Sequence, residues 1–167
     1  MAQTAPEDLK TRMTKALLAP ENLSKYDKDG NHFLLPWLEI VKIVDAEKLS
    51  NKTCKTTLKF PVQPEFLNTM GTLHAGASMA MFEVATTWAL WPISTPEFWP
   101  NLGICRAITF SYLRPAVKGE MVLMECETVH VGKRVALIRA VLKREKDGTA
   151  LVTCEHNKFN VDADVKI

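Results

Sequence analysis

The stretch His74–Trp91, reading HAGASMAMFEVATTWALW, constrains the fold more than any other part of the chain. It has no proline and no run of β-branched residues. It therefore reads as a helix that begins near Thr72–His74 and stops before Pro92, which disfavours helix at Trp91. Between Ala75 and Trp91 the one charged side chain is Glu83. A helix that is apolar all round either crosses a membrane or forms the centre of a folded domain. This one falls short of the roughly 20 apolar residues that a span requires, and it carries a carboxylate, several hydroxyl groups and a polar N-terminal flank. The expectation is a buried central helix and no membrane span.

Strands must supply the cover. Ile104–Leu113, Met121–Val131, Arg134–Lys143 and Thr149–Val161 are rich in Val, Ile, Leu, Thr and Phe. The segments Val131-Gly132-Lys133-Arg134 and Lys146-Asp147-Gly148 join the last three as hairpin turns. Two further extended runs, Trp37–Glu47 and Cys54–Val62, flank the polar segment Lys48–Lys52. Along 134–143, Ala136, Ile138, Ala140 and Leu142 share one face. The other face mixes Val135, Leu137 and Val141 with Arg139 and Lys143, and so is only partly polar. The pattern predicts an α+β arrangement, an antiparallel sheet of five or six strands wrapped around one long central helix. Residues 1–33 form a polar N-terminal extension. It holds a candidate amphipathic helix with Leu9, Met13, Ala16 and Leu17 on one side and the turn-like run Asp27–Asn31. Residues 34–167 form a single domain.

Charge and cysteine usage narrow the function classes. Lys plus Arg is 21 and Asp plus Glu is 19, a net charge of +2, which argues against a nucleic-acid binder. Cys54, Cys105, Cys126 and Cys154 are scattered, with no CxxC pair and no His at a zinc-ligand spacing, so neither a metal site nor a disulfide framework is expected. They read as reduced core thiols of a cytoplasmic or mitochondrial protein, and no continuous apolar signal segment opens the chain.

The chemistry-bearing stretch is Asn68-Thr69-Met70-Gly71-Thr72-Leu73-His74-Ala75-Gly76, with Glu83 further along. Asn68 and His74 lie in the loop that leads into the helix, whose first N–H groups lack internal partners and carry the positive end of the macrodipole. A substrate carbonyl placed there would be polarised, the logic of an oxyanion hole, and the small residues Ala75 to Ser78 leave room for it. Asn68 could equally serve to cap the turn. Glu83 lies roughly 12 Å along the axis from the helix start, at 1.5 Å per residue. A carboxylate does not reach back over that distance. A second copy of the helix running antiparallel would bring the two together, so a competent site is expected to need two subunits.

The run NTMGTLHAGASMAMFEVA resembles the N-x-x-G-x-x-H-G-G-x(6)-D/E signature of the hotdog-fold acyl-CoA thioesterases, in the branch of the phenylacetyl-CoA-type and acyl-CoA thioesterase 13-like proteins. Tyr112–Glu120 resembles that family's Y-x-x-P-A-x-x-G-E turn, and the spacing onward through Gly132-Lys133 to His156-x-Lys158 is similar. The likeness covers roughly residues 55–160. It implies a hotdog fold, hydrolysis of acyl-CoA to free acid and CoA without metal or cofactor, and a homodimer or dimer of dimers with the site shared between subunits. It assigns Glu83 the role of general base or nucleophile. Asn68 would orient the nucleophile or carbonyl, His74 would support the loop, and the Ala75 N–H beside Gly76 would polarise the thioester oxygen.

The chain departs from the family pattern at three positions. Ala75 stands for the first Gly of H-G-G, Glu83 for the Asp of close relatives, and Cys105 for a Ser that helps position water, although a thiol is a poor hydrogen-bond partner. Coenzyme A carries phosphates, so basic groups are expected to meet it. The candidates are Lys133 and Arg134 at the hairpin turn, the pair His156 and Lys158, and Arg106, Arg114 and Lys118. Two other functions stay open on sequence grounds: a non-catalytic acyl-CoA-binding protein, and an enoyl-CoA hydratase, which would place an Asp and a His on the loop.

Overall fold

The computed structural model describes residues 7–26 and 32–161. The expected turn at Asp27–Asn31 lies outside them. Among these residues four α-helices (α1, Leu9–Leu18; α2, Pro20–Tyr26; α3, Leu35–Leu38; α4, Ala75–Trp88) accompany six strands. The strands are β1 Lys42–Lys48, β2 Cys54–Pro61, β3 Ile104–Tyr112, β4 Met121–Val131, β5 Val135–Arg144 and β6 Ala150–Phe159. They form one antiparallel sheet in the order β1-β2-β4-β5-β6-β3. The expected sheet around one long helix is present, with six strands. No helix among the described residues is long and apolar enough to cross a membrane.

The sheet curls because its alternating apolar residues must cover α4. Ala136, Ile138, Ala140 and Leu142 of β5 are buried, as are Cys154, His156 and Lys158 of β6, while Arg139 and Glu155 point outward. Helix α4 presses Ala77, Met81, Phe82, Ala85 and Trp88 into this concave face. Each large apolar side chain so buried contributes about 1.5–3 kcal/mol. The opposite face of the sheet is a lattice of cross-strand ion pairs, Lys55–Glu127 at 3.7 Å, Arg139–Glu155 at 2.8 Å and Lys143–Glu125 at 2.6 Å. That accounts for its mixed composition.

Trp37 and Leu38 belong to α3 and not to an extended run, a correction to the sequence reading. Pro36 sits in the first turn of α3, where its fixed φ favours helix. The turn drives Trp37 into the core, stacked on Trp88 at 5.9 Å and edge-on to Phe60 at 5.6 Å. This wedge fixes the C-terminal end of α4. Helix α1 is capped by Asp8, which accepts from Thr11 N at 2.9 Å. It packs on β1 and contributes Met13 to the same core, whereas Ala16 stays exposed. Three cysteines are buried as expected, and Cys105 is exposed. Burial pushes the thiols of Cys54 and Cys154 up to about 11 and about 12.

The segment before β3 depends on Gly103. Its φ is +65°, and an added Cβ would lie 2.6 Å from both the Phe159 carbonyl oxygen and the Trp99 ring. At Gly148 φ is +70°, but nothing lies within 4 Å. Gly148→Ala is expected to lower unfolding free energy by about 1 kcal/mol, the left-handed backbone penalty alone. Gly103→Ala adds overpacking and is expected to cost about 3 kcal/mol or more. Equal shifts of the urea midpoint for the two variants would refute this account of the Gly103 contact.

Candidate active site

The loop before α4 is strung between two other segments by its own backbone. His74 N donates to Phe66 O at 2.7 Å and Leu73 N to Ala116 O at 2.8 Å. Asn68 closes it from within. Its Oδ1 accepts from Met70 N at 2.9 Å and Thr72 N at 3.1 Å, and its Nδ2 donates to Thr72 Oγ1 at 2.9 Å. The Asn68 side chain is thus engaged by the turn in this structure. His74 is the N-cap, with Nδ1 accepting from Gly76 N at 3.0 Å, so its Nε2 carries the ring proton. The close approach needs Gly76, where a Cβ would stand 3.3 Å from the imidazole. With Gly76 N–H taken, the exposed Ala75 N–H makes no hydrogen bond among the described residues.

Tyr112 and Ser78 secure the same turn. Tyr112 Oη donates to Ala75 O at 3.1 Å, Ser78 Oγ donates to it at 2.7 Å, and the two hydroxyl groups are 3.2 Å apart. Tyr112 was not among the expected site residues, although it opens the Y-x-x-P-A turn. A groove of about 330 Å³ runs here, lined by Asn68, Ala75, Ser78, Tyr112 and Arg114 among others. A larger concavity, about 610 Å³, lies among the ion pairs of the outer sheet face and contains none of the expected catalytic groups. Chemistry and not size makes the groove at the helix start the candidate site.

Glu83 lies further along α4. Its side chain is 43% exposed, on the helix face that also leaves Gly76 and Met79 exposed. Beneath it stands Lys158, 1% exposed, whose Nζ is 3.9 Å from Glu83 Oε1 and donates to Thr87 Oγ1 at 2.7 Å. Thr87 Oγ1 donates in turn to Glu83 O at 2.7 Å and sits 3.4 Å from Glu83 Oε1. Cys105 pairs with Lys158 across β3 and β6, so the thiol lies beside this cluster. Burial lowers the Lys158 pKa, and the Glu83 carboxylate opposes that shift.

His156 and Lys158, candidates to meet the CoA phosphates, are instead buried. Both alternate inward on β6 with Cys154, beneath α4. Their signal was legible in the register: they share the face of Val152 and Cys154, not that of Glu155. Thr86 Oγ1 donates to Phe82 O at 2.6 Å and so accepts from His156 Nδ1 at 2.6 Å, while His156 Nε2 is buried without a partner among the described residues. Burial, helped by Lys158, holds the His156 pKa down at about 4, so the ring is neutral near pH 7. Lys133 and Arg134 lie exposed at the β4–β5 turn, their carbonyl groups accepting from Asn160 at 3.1 and 2.8 Å. Arg114 Nη1 donates to Ala150 O at 3.2 Å. No group of three His, Cys, Asp or Glu among the described residues could hold a metal ion.

A sequence model of the thioesterase superfamily matches residues 70–151. Human acyl-coenzyme A thioesterase 13 is 27% identical over 104 residues, covering 62% of this chain and 71% of that protein. Thioesterase superfamily member 2 of Mus musculus superposes with a TM-score of 0.71 at 19% identity, covering 92% of this chain and 98% of the other. A Streptococcus mutans protein solved bound to acetyl CoA superposes with a TM-score of 0.61 at 14% identity, over 71% and 86% of the two chains.

The neutral His156 makes stability depend on pH. Above an unfolded value near 6.5 the ring is neutral in both states and its stabilisation is complete. As pH falls, the unfolded chain binds the proton first, and near pH 4 the loss is expected to approach roughly 3 kcal/mol. Urea midpoints between pH 7 and 4 should fall more steeply for the natural protein than for His156→Gln. Parallel curves would contradict the burial of a neutral ring.

Proposed function

We propose that this chain, which has the hotdog fold and matches the thioesterase superfamily over residues 70–151, hydrolyses acyl-CoA thioesters to free acid and CoA through Glu83, at a site completed by a second copy of the chain. The observation that carries the reading is the uncovered face of α4. It presents Glu83 and an unengaged N-terminal N–H on one surface, about two helical turns apart. Strand β3 is likewise an open edge, with Ile104 54% and Tyr112 46% exposed. An unpaired edge and a greasy helix face side by side call for the same cover. A second copy related by a two-fold axis supplies it, and sets each Glu83 toward the other subunit's helix start.

In that arrangement the Ala75 N–H, with the helix dipole behind it, polarises the thioester oxygen as negative charge develops there. His74 acts at one remove by capping Gly76 N and thereby leaving Ala75 as the donor. Asn68 sets the loop's shape through its bonds to Thr72 and Met70. The Glu83 carboxylate removes a proton from water as that water attacks, or attacks first and forms an anhydride that water then opens. The sulfur leaves as CoA thiolate and takes a proton from the medium or from the protonated carboxyl. The methyl of Ala75 narrows the entrance relative to glycine. Lys133 and Arg134, exposed on a turn, are the cations suited to CoA phosphates.

Glu83→Gln should lower kcat for CoA release from an acyl-CoA panel by at least about a hundredfold while ligand-induced thermal stabilisation persists. Near-normal turnover would remove Glu83 from the reaction. Ligand stabilisation with no CoA release by the natural protein would leave a binding protein instead. The sharing of the site has its own check. In a mixture of Glu83→Gln and Asn68→Ala chains, half the dimers are mixed and each of those keeps one intact site of two. About a quarter of full activity should then return. No recovery would place both groups in one subunit.

A further inference from the structure

We propose that Lys158 is the positioning residue of the Glu83 carboxylate, a buried cation that holds the reactive acid in place from beneath α4. The inference rests on the reading of Glu83 as the reacting group. A lysine 1% exposed is unusual, because an ammonium that leaves water must be paired or hydrogen-bonded. Thr87 Oγ1 takes one of its three protons at 2.7 Å. Glu83 is its carboxylate partner at 3.9 Å and the sole charge on α4. The two are matched in position: a buried cation rising from the strand layer approaches, from beneath, an anion on the helix face that the sheet leaves open.

The distances say what kind of partnership this is. At 3.9 Å the ammonium attracts the carboxylate without hydrogen-bonding to it, so both carboxylate oxygens keep lone pairs for water or for the thioester carbon. Thr87 works as the spacer. It accepts from Lys158, donates to the Glu83 backbone carbonyl, and stands 3.4 Å from Oε1, so the ammonium is tethered one turn along the same helix from the acid. Among the described residues Glu83 is the one carboxylate within ion-pair distance of the cation. Across the strands it is flanked by Ala136 on β5 and Cys105 on β3, and His156 on its own strand is neutral. When a second subunit covers the α4 face, water leaves and a lone carboxylate there would be strongly disfavoured. The fixed charge below offsets that cost without competing for the oxygens.

Lys158 thus acts through Glu83 and touches no substrate. Lys158→Met should lower kcat at least about tenfold while KM for the same acyl-CoA changes less than about threefold, and Lys158→Arg should retain more of kcat than Met does. In the Glu83→Gln background, Lys158→Met should change residual kcat by less than about twofold, because its one route to the reaction is already gone. A merely structural lysine would lower activity again in that background, and that result would overturn the proposal. So would a folded Lys158→Met enzyme with unaltered kcat. Should Lys158→Met fail to fold, Thr87→Val decides: loss of the tether is expected to lower kcat severalfold, and unchanged kcat rejects the proposal. If Glu83→Gln is inactive and Lys158→Met is not, this inference alone falls. If Glu83→Gln is itself active, the reading of Glu83 falls with it.

Discussion

The structure depends on α4 being wrapped but not enclosed. A helix with one charged side chain cannot lie on a surface, so Phe82, Met81 and Ala85 are driven against the strands. A single curled sheet reaches only part of the way round a helix. The remaining stripe of Gly76, Met79 and Glu83 stays open beside an open sheet edge. Fold and proposed function meet in that incompleteness: the apolar face left uncovered is the one that presents Glu83 and the Ala75 N–H.

The N-terminus of α4 shows how local chemistry serves the site. A Ser or Asp at the cap would satisfy a helix N–H as well as His74 does. What matters is which N–H is taken. His74 reaches Gly76 N because no Cβ blocks the ring, Asn68 and Ala116 hold the loop on which it sits, and Tyr112 holds the Ala75 carbonyl from the far side. The Ala75 N–H is left over by construction. An arrangement that merely capped the helix would not require so many independent ties on so short a loop.

The strand runs were legible because alternation and turn chemistry agreed over 104–161, and boundaries differ there by a residue or two. The central helix was legible from its lone charge. Trp37 was misplaced because an apolar run gives no period in so short a segment, and the meaning of Pro36 depends on whether the chain turns after it. The burial of His156 and Lys158, named from sequence only as basic candidates for CoA phosphates, was missed for another reason. Polar residues near a chain end read as surface by type, yet period 2 puts them on the same face as Cys154. Register outranks residue type when the two conflict, and the cost of burying them is offset in part by Thr86, Thr87 and Glu83, while His156 Nε2 stays unsatisfied among the described residues. No sequence pattern links residues 83 and 158, because that contact exists only once β6 lies under α4.

Two departures from the resembled motif bear on each other in this geometry. Glutamate has one more rotatable bond than aspartate, so holding its carboxylate in one place costs more conformational entropy. A thiol at Cys105 also supplies a weaker hydrogen bond than the serine hydroxyl of the resembling proteins. In the role proposed for Glu83, both changes would loosen an acid that has to sit within a fraction of an ångström of its working position. Lys158 lies where both could be compensated, paired in register with Cys105 and within ion-pair distance of Glu83. A fixed charge acts over a longer range than a hydrogen bond and tolerates a longer arm, so the cation beneath α4 makes a glutamate at this position physically workable.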